Sequence, residues 1–531
     1  MRSLRALAAG GAIALVLGGC GGGSDEPGAG NTALANGKTF TMVIPGDPGN
    51  LDPHLTSLSV TGQVDRFLYD SLLRLDAAGT LGPSLATAWK ASLTKATFTL
   101  RSGVTCADGT PMTAALVAQN INFVSDPKNG STRVGVNVPA GAKATADDAT
   151  GVVTVTAPAP DAFLDRNLGS LPIVCANGLK DRDLLKAGAD GTGMFTVKES
   201  VAGDHLTLAR RPGYAWGPGD WKVDQPGVPE TVVFKIVTSE TTAANLVLSG
   251  AVNVARLLGP DGQRLTGSGI SKQDFATPAG PIWFNEKTGL PTADEAVRRA
   301  IVQALDLGQL GQVLTSGTGT KATGVQTPSI SPCKQNTIGS SLPGHDPAAA
   351  GAALDAAGWT KGADGTRSKD GRPLKLAFAF VSGSTAGVQA AAELLQQQWK
   401  GVGVGVTLKP VTAAQIGQIA GGQTAWDVAL IPIGITLPSQ LVPYVSGATP
   451  PNGANFAAIK NADYTSNVKA AAAVPGADGC DKWAAAEAAL FAHLDLLPIV
   501  NTSLPTFAKG ATVRHSDGDV DPTSIRMLAN G

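Results

Sequence analysis

The sequence predicts an α/β protein, and three observations carry that prediction. The chain has 531 residues, enough for two to four domains, or one large two-lobed body, at roughly 150 residues per domain. Its apolar content of 43% fits a folded protein, since a chain this long buries about three quarters of its surface. In the second half, short apolar runs alternate with helical stripes in β-α-β-α-β order, which indicates a mainly parallel sheet. The 66 glycines and 34 prolines make up about a fifth of the chain against an average of roughly 12%, loop-rich but short of wholesale disorder. A formal charge of −1 and an isoelectric point near 6.5 leave no basic face for phosphates, so nucleic acid is excluded as a partner.

Residues 1–19 read as a leader. Arg2 and Arg5 precede an apolar run, Ala6 to Leu17, that is too short for a standard membrane span. The run ends in Leu17-Gly18-Gly19-Cys20, which resembles a bacterial lipobox; that resemblance implies cleavage before Cys20 and a lipid on its thiol. Residues 20–37 are rich in Gly, Ala, Ser and Asn and suit a flexible tether. No later segment is long and apolar enough to span a bilayer. The expected location is therefore the extracytoplasmic face of the cell membrane, with the chain lipid-anchored.

Thr39 to Pro45 reads as a strand, followed by the turn-rich Gly46-Asp47-Pro48-Gly49-Asn50. Val64 to Leu73 reads as a helix, and Ala96 to Arg101 alternates as a half-buried strand should. Leu116, Val117, Ile121 and Val124 form a helical stripe over Thr113 to Val124, and Val152 to Ala157 and Thr231 to Val237 are strands. Thr292 with Glu295 three residues on predicts a capping box, with Val297, Ile301, Ala304 and Leu305 as the apolar face behind it. Asp346-Pro347 opens another helix, which Gly358 closes. Leu374 to Val381 is a strand, Val388 to Lys400 a helix, and Val402, Val404, Val406 and Leu408 alternate as the next strand. Thr412 to Ala420 is helical and Asp427 to Ile433 an apolar strand. Gly401-Val402-Gly403-Val404-Gly405 opens a strand and not a helix, so it lacks the geometry that cradles phosphate.

Chemistry is sparse. There is no GxSxG elbow, no HExxH and no Walker A sequence. His54, His205, His345, His493 and His515 are scattered singly, and the close acidic pairs Asp147-Asp148 and Asp181/Asp183 sit in polar stretches that read as solvated faces. Cys106, Cys175, Cys333 and Cys480 suggest two disulfides in an oxidising compartment, with three possible pairings. They form no CxxC pair and have no His at zinc spacing, so no metal site and no cofactor are expected. The pattern points to a binding protein and not to an enzyme.

Several segments, taken in order, resemble the family 5 extracellular solute-binding proteins, the peptide/nickel-binding components of ABC importers. They are Leu51-Asp52-Pro53, the run Gly82 to Trp89, Phe98 to Val104 followed by Asp108-Gly109-Thr110-Pro111, Gly191-Thr192-Gly193-Met194-Phe195, and Arg210-Arg211-Pro212-Gly213-Tyr214. Asn285 with Val297 to Ala300 and Ala304-Leu305-Asp306, then His345-Asp346-Pro347 through Trp359, continue the match. It is collinear from about residue 39 to 510, nearly the whole chain after the leader. The resemblance implies a two-lobed periplasmic-binding-protein type II-like fold, with an extra subdomain in lobe I and a ligand cleft between the lobes. Lobe I would combine 38–76, 178–280 and 501–531, with 77–177 as the subdomain, and lobe II would span 281–500. On that map the pairing Cys106–Cys175 and Cys333–Cys480 keeps each bridge inside one body and leaves hinge closure free.

The same resemblance implies a receptor that closes on a small solute or oligopeptide and hands it to a membrane permease, with no bond made or broken and with a monomer as the expected state. Cleft residues would be Gly46, Asp47 and Pro48, the strand Trp283-Phe284-Asn285, and Trp426 with Ile433, Gly434, Ile435 and Thr436. Asp427 reads as structural. Peptide-binding members place an Asp after this last strand to hold the peptide ammonium. Here Val428 to Ala462 contains no Asp or Glu, and Thr436-Leu437-Pro438-Ser439 stands in its place. An ammonium in a dry cleft needs a counter-charge, for which Asp47 is the candidate. A blocked peptide or a sugar-like solute therefore stands beside a conventional peptide, while the absence of a His cluster speaks against a nickel chelate. A secreted hydrolase and a signalling receptor on the same scaffold are the alternatives.

Overall fold

The computed structural model describes residues 33–529 apart from Ser57, Asp220, 267–268, 383, 386 and 413–414. The leader, Cys20 and the first part of the tether lie outside the described residues. Among the described residues no helix is long and apolar enough to cross a membrane.

The strand Thr39–Ile44 buries alternate side chains and sits inside a seven-stranded sheet. It pairs in parallel with Thr231–Ile236 and with Val254–Arg256. Beyond Thr231–Ile236 come His205–Arg210 and Phe195–Val201, both antiparallel. Beyond Val254–Arg256 comes Thr506–Ala508 from the chain's last segment, and then Ser271–Gln273. The helix Ser59–Leu68 lies on this sheet through Phe67, whose ring meets Phe234 edge-on at 5.0 Å. A four-stranded antiparallel sheet of Ala86–Ala91, Lys95–Leu100, Val152–Thr156 and Lys143–Asp147 packs under the helix Ala114–Ser125, capped by the Thr113 side chain. Its core runs on without a break into that of the larger sheet.

The second lobe is built on a five-stranded sheet. Lys375–Val381 is parallel to both Gly405–Val411 and Val428–Leu430, while Pro281–Phe284 runs antiparallel to Val428–Leu430 and to Leu496–Pro498. Helix Val388–Gly401 covers it with Trp399, whose Nε1 donates to Ile301 O at 2.8 Å. Two strands join the lobes, Ala276–Pro278 and Val500–Ser503, paired antiparallel, and Thr320–Lys321 adds a third strand on the other edge of Val500–Ser503.

The lobes meet again at a second place. Ala162 and Phe163 from the four-stranded region share an apolar cluster with Leu437, Ala471 and Trp483 of the other lobe. Arg166 Nη2 donates to Gly79 O at 2.6 Å and across the seam to Ile330 O at 2.8 Å. Disulfides join Cys106 to Cys175 and Cys333 to Cys480.

Several sequence expectations are corrected. The strands of the β-α-β-α-β run are parallel as expected, but the sheet they belong to is mixed, because Pro281–Phe284 and Leu496–Pro498 enter it antiparallel from distant segments, and local periodicity carries no sign of that. The helix expected at 64–73 is Ser59–Leu68, and Leu73–Leu75 is a strand. Thr292 caps nothing: Asp294 accepts from Ala296 N at the helix start, and Thr292 Oγ1 donates to Asn285 O at 2.6 Å. Val402 and Val404 are buried but belong to the turn before the strand Gly405–Val411. Ile416–Ala420 and Val428–Leu430 are shorter than the runs that announced them.

Candidate functional site

The expected cleft residues fall into two groups. In lobe I, Asp47 accepts from Gly203 N through Oδ2 and from Gly49 N through Oδ1, both at 2.9 Å, and these backbone donors hold its carboxyl below the usual range. Gly46 is half-buried, and Pro48 is buried, its carbonyl taking a 2.6 Å bond from Thr61 Oγ1. In lobe II the structure brings Trp283, Asn285 and Trp426 together. Trp283 and Phe284 have no exposed surface. Trp283 Nε1 donates to Ile431 O at 3.1 Å and Asn285 Nδ2 to Trp426 O at 2.9 Å. Both tryptophan rings lean on Phe456, at 4.7 and 5.7 Å. Ile435 is buried with its carbonyl accepting from Thr327 N, Thr436 bonds Gln440 Oε1 through N and Oγ1, Ile433 is half-buried and Gly434 is exposed. Asp427 spends Oδ2 on Ala377 N at 2.7 Å. The hydrogen bonds of Asp47 stay in lobe I and join it to none of the lobe II residues.

A cavity of about 340 Å³ lies in lobe I between the helix Ser59–Leu68, the loops around Arg133 and Pro172, and the last segment at 516–523. Its charged wall holds five aspartates against three arginines: Asp65, Asp70, Asp517, Asp519 and Asp521 with Arg66, Arg74 and Arg133. Most of these charges are committed. Arg66 pairs with Asp517 at 2.7 Å and Asp519 at 3.4 Å, and Arg74 with Asp521 at 2.5 Å. Asp70 accepts from Trp216 Nε1 at 2.8 Å and Tyr214 Oη at 3.2 Å, and burial pushes its carboxyl up to about 6 against those bonds. Asp65 is the exception. It is 4% exposed, and neither of its oxygens has a hydrogen-bond partner. Burial holds its carboxyl well above the usual range, opposed by Arg133 and supported by Asp52. A second cavity of about 330 Å³ sits where the lobes join, lined by Leu257, Gln263, Thr315, Asn501 and Phe507 among others.

Residues 80–451 match the family described as bacterial extracellular solute-binding proteins, family 5 Middle. The chain is a family 5 solute-binding protein. Over 323 residues it is 28% identical to the periplasmic murein peptide-binding protein MppA of Escherichia coli, covering 56% of this chain and 58% of that one. Over 387 residues it is 26% identical to the nickel-binding periplasmic protein of the same organism, covering 70% of each. The chain thus spans little more than half of the first relative's length. A crystal structure of a substrate binding protein from Microbacterium hydrocarbonoxydans, complexed with 4-hydroxybenzoate hydrazide, superposes with a TM-score of 0.72 and 25% identity over 92% of this chain and all of that one.

The segments that announce the family hold up the scaffold of this solute-binding protein. Asp52 is fully buried and takes a bidentate pair from Arg182. Arg211 donates to Gly193 O, Thr105 O and Cys106 O. Arg298 is buried against Asp495 at 3.3 Å and Glu286 at 3.7 Å. None of these three side chains lines the lobe I cavity. Asp65 was missed in the sequence because it stands alone in a mixed segment. Its signal was position: Thr61, Val64, Asp65 and Leu68 share the buried stripe of one helix, where a carboxylate is out of place.

Proposed function

We propose that this family 5 protein is a lipid-anchored extracytoplasmic receptor that takes a small solute or oligopeptide between its lobes and delivers it to an ABC importer. The observation that carries the reading is the pair of lobe contacts: one small sheet in which two strands cross between the lobes, and a separate seam at Phe163, Leu437 and Trp483. A body joined at one edge and touching at another can open without breaking its cores. Ligand that contacts both sides favours the closed state, and a permease reads that state. Cys20 would carry the lipid and the residues after it the reach; the tether expected over 20–37 ends earlier, since Ala35 N donates to Met527 O at 3.0 Å and Asn36 Oδ1 accepts from Gly227 N at 2.8 Å. The lobe I cavity supplies polar groups that would choose the solute.

The test is reversible binding. Residues 21–531 would be melted with short peptides, their N-acetylated forms, oligosaccharides and nickel–histidine. A ligand of the folded state raises the melting temperature as its concentration rises, and it should be recovered chemically unchanged. Time-dependent loss of the stabilising compound would replace the receptor with a hydrolase.

A further inference from the structure

We propose that the lobe I cavity is the subsite for a cationic head of the solute, a protonated amine or a guanidinium, and that Asp65 is the carboxylate that holds it. This deepens the solute-receptor reading and rests on it. Three observations on the cavity wall converge. Asp65 is a buried acid whose two oxygens meet no donor in the protein, a costly arrangement unless something brings donors to it. The remaining aspartates of the wall are spent on Arg66, Arg74, Trp216 and Tyr214, so the acceptor capacity left over is that of Asp65. The wall also carries more acids than bases, a field that favours a cation.

A metal ion is the wrong cation. Hard and borderline ions take several protein ligands, and among the described residues no group of three or more His, Cys, Asp or Glu could hold one. A single carboxylate with two free oxygens matches an ammonium or the fork of a guanidinium, each bringing several N–H donors. Arg133 lines the same cavity and fixes its Nε on Pro53 O at 2.8 Å without forming an ion pair to Asp65. The site therefore supplies in lobe I the negative charge that the segment 428–462 lacks. Asp47 is the weaker choice, since both its oxygens are already occupied by backbone donors.

Four probes test the assignment by titration calorimetry on residues 21–531. Trialanine offers an ammonium, N-acetylarginine amide a guanidinium, and N-acetyltrialanine amide and maltotriose offer no cation. The expected result is binding of at least one cationic probe, weakened about 10-fold or more in Asp65→Asn, as for loss of a charge-assisted bond, and partly kept in Asp65→Glu. Asp47→Asn should leave that affinity within about 2-fold. Because burial raises the Asp65 carboxyl above its ordinary range, a bound cation should lower it again and release proton, and the binding heat should differ between phosphate and Tris buffers in wild type and not in Asp65→Asn. The charged and titratable groups around it are Arg133, Asp52 (itself paired with Arg182), and Arg66 and Tyr69 along its own helix. If the uncharged probes bind wild type and Asp65→Asn alike while the cationic ones do not bind, the receptor reading stands and the Asp65 assignment falls. Equal binding of a cationic probe to wild type and Asp65→Asn overturns it too, as does failure of both cationic probes. A folding defect in Asp65→Asn would show as a lowered melting point, and Asp65→Glu then decides.

Discussion

At the scale of single residues, Asp65 makes a claim about stability that is separate from its claim about ligands. Burial holds its native carboxyl above the ordinary range, so the folded state holds this proton more tightly than the unfolded chain. Such a group stabilises the fold fully below the unfolded value and loses that contribution as pH rises through the native value. Ligand-free wild type should therefore match Asp65→Asn below the ordinary carboxylate range and fall behind it as pH rises through the raised native value, in a series of melts. A difference that grows toward acid would contradict the burial argument. The residue scale is also where sequence reading was weakest. Asp52, Arg211 and Arg298 are legible as motifs because the scaffold demands them. Asp65 answers to the solute, and a scaffold pattern does not record it.

At the scale of elements, the Gly191-Thr192-Gly193 turn shows what a motif can mean physically. Gly193 N donates to Leu68 O at 2.9 Å, and a Cβ on Gly191 would stand 2.0 Å from that same carbonyl. The turn is thus pressed against the end of the helix that carries Asp65. Gly191→Ala should cost about 1–3 kcal/mol through overpacking, read as a lower denaturant midpoint, and should weaken any cavity ligand as the helix shifts. An unchanged midpoint would mean the backbone yields there. The helix itself was misplaced in the sequence by five residues at each end. Its first turn begins at Leu58 without a side-chain cap, and Tyr69, Leu72 and Leu73 continue the apolar spacing after the backbone has turned extended. Tertiary contact with Gly191 and Gly193, and not local propensity, ends it. The capping box expected at Thr292 failed for a related reason: the Thr292 hydroxyl has a better partner in Asn285 O, at the end of the strand Pro281–Phe284.

At the scale of the molecule, closure depends on a few groups at the seam. Gly79 holds a positive φ of 78° and lies so near Ile330 that a Cβ would meet its backbone at 2.6 Å. Arg166 ties the two carbonyls together. A hydrogen bond from a charged donor is worth about 1.5–3 kcal/mol, so Arg166→Ala should shift the open-to-closed ratio by about 10-fold or more. Small-angle scattering of the ligand-free variant should give a larger radius of gyration than wild type; identical curves would remove Arg166 from the latch. Two lobes and α/β content were legible in the chain, the first through the family resemblance and the second through periodicity. Strand direction was legible within the β-α-β-α-β run and not beyond it, because Pro281–Phe284 and Thr506–Ala508 find partners far away in the chain. The small sheet at the crossing has a mechanical consequence. Strands bonded edge to edge resist sliding, since each in-plane step breaks backbone bonds, yet so small a sheet flexes across its face at the expense of a few degrees per dihedral. Such a joint has one soft axis. Like the spine of a book, it lets the pages swing while keeping them aligned, so the same two rows of side chains come together at every closing.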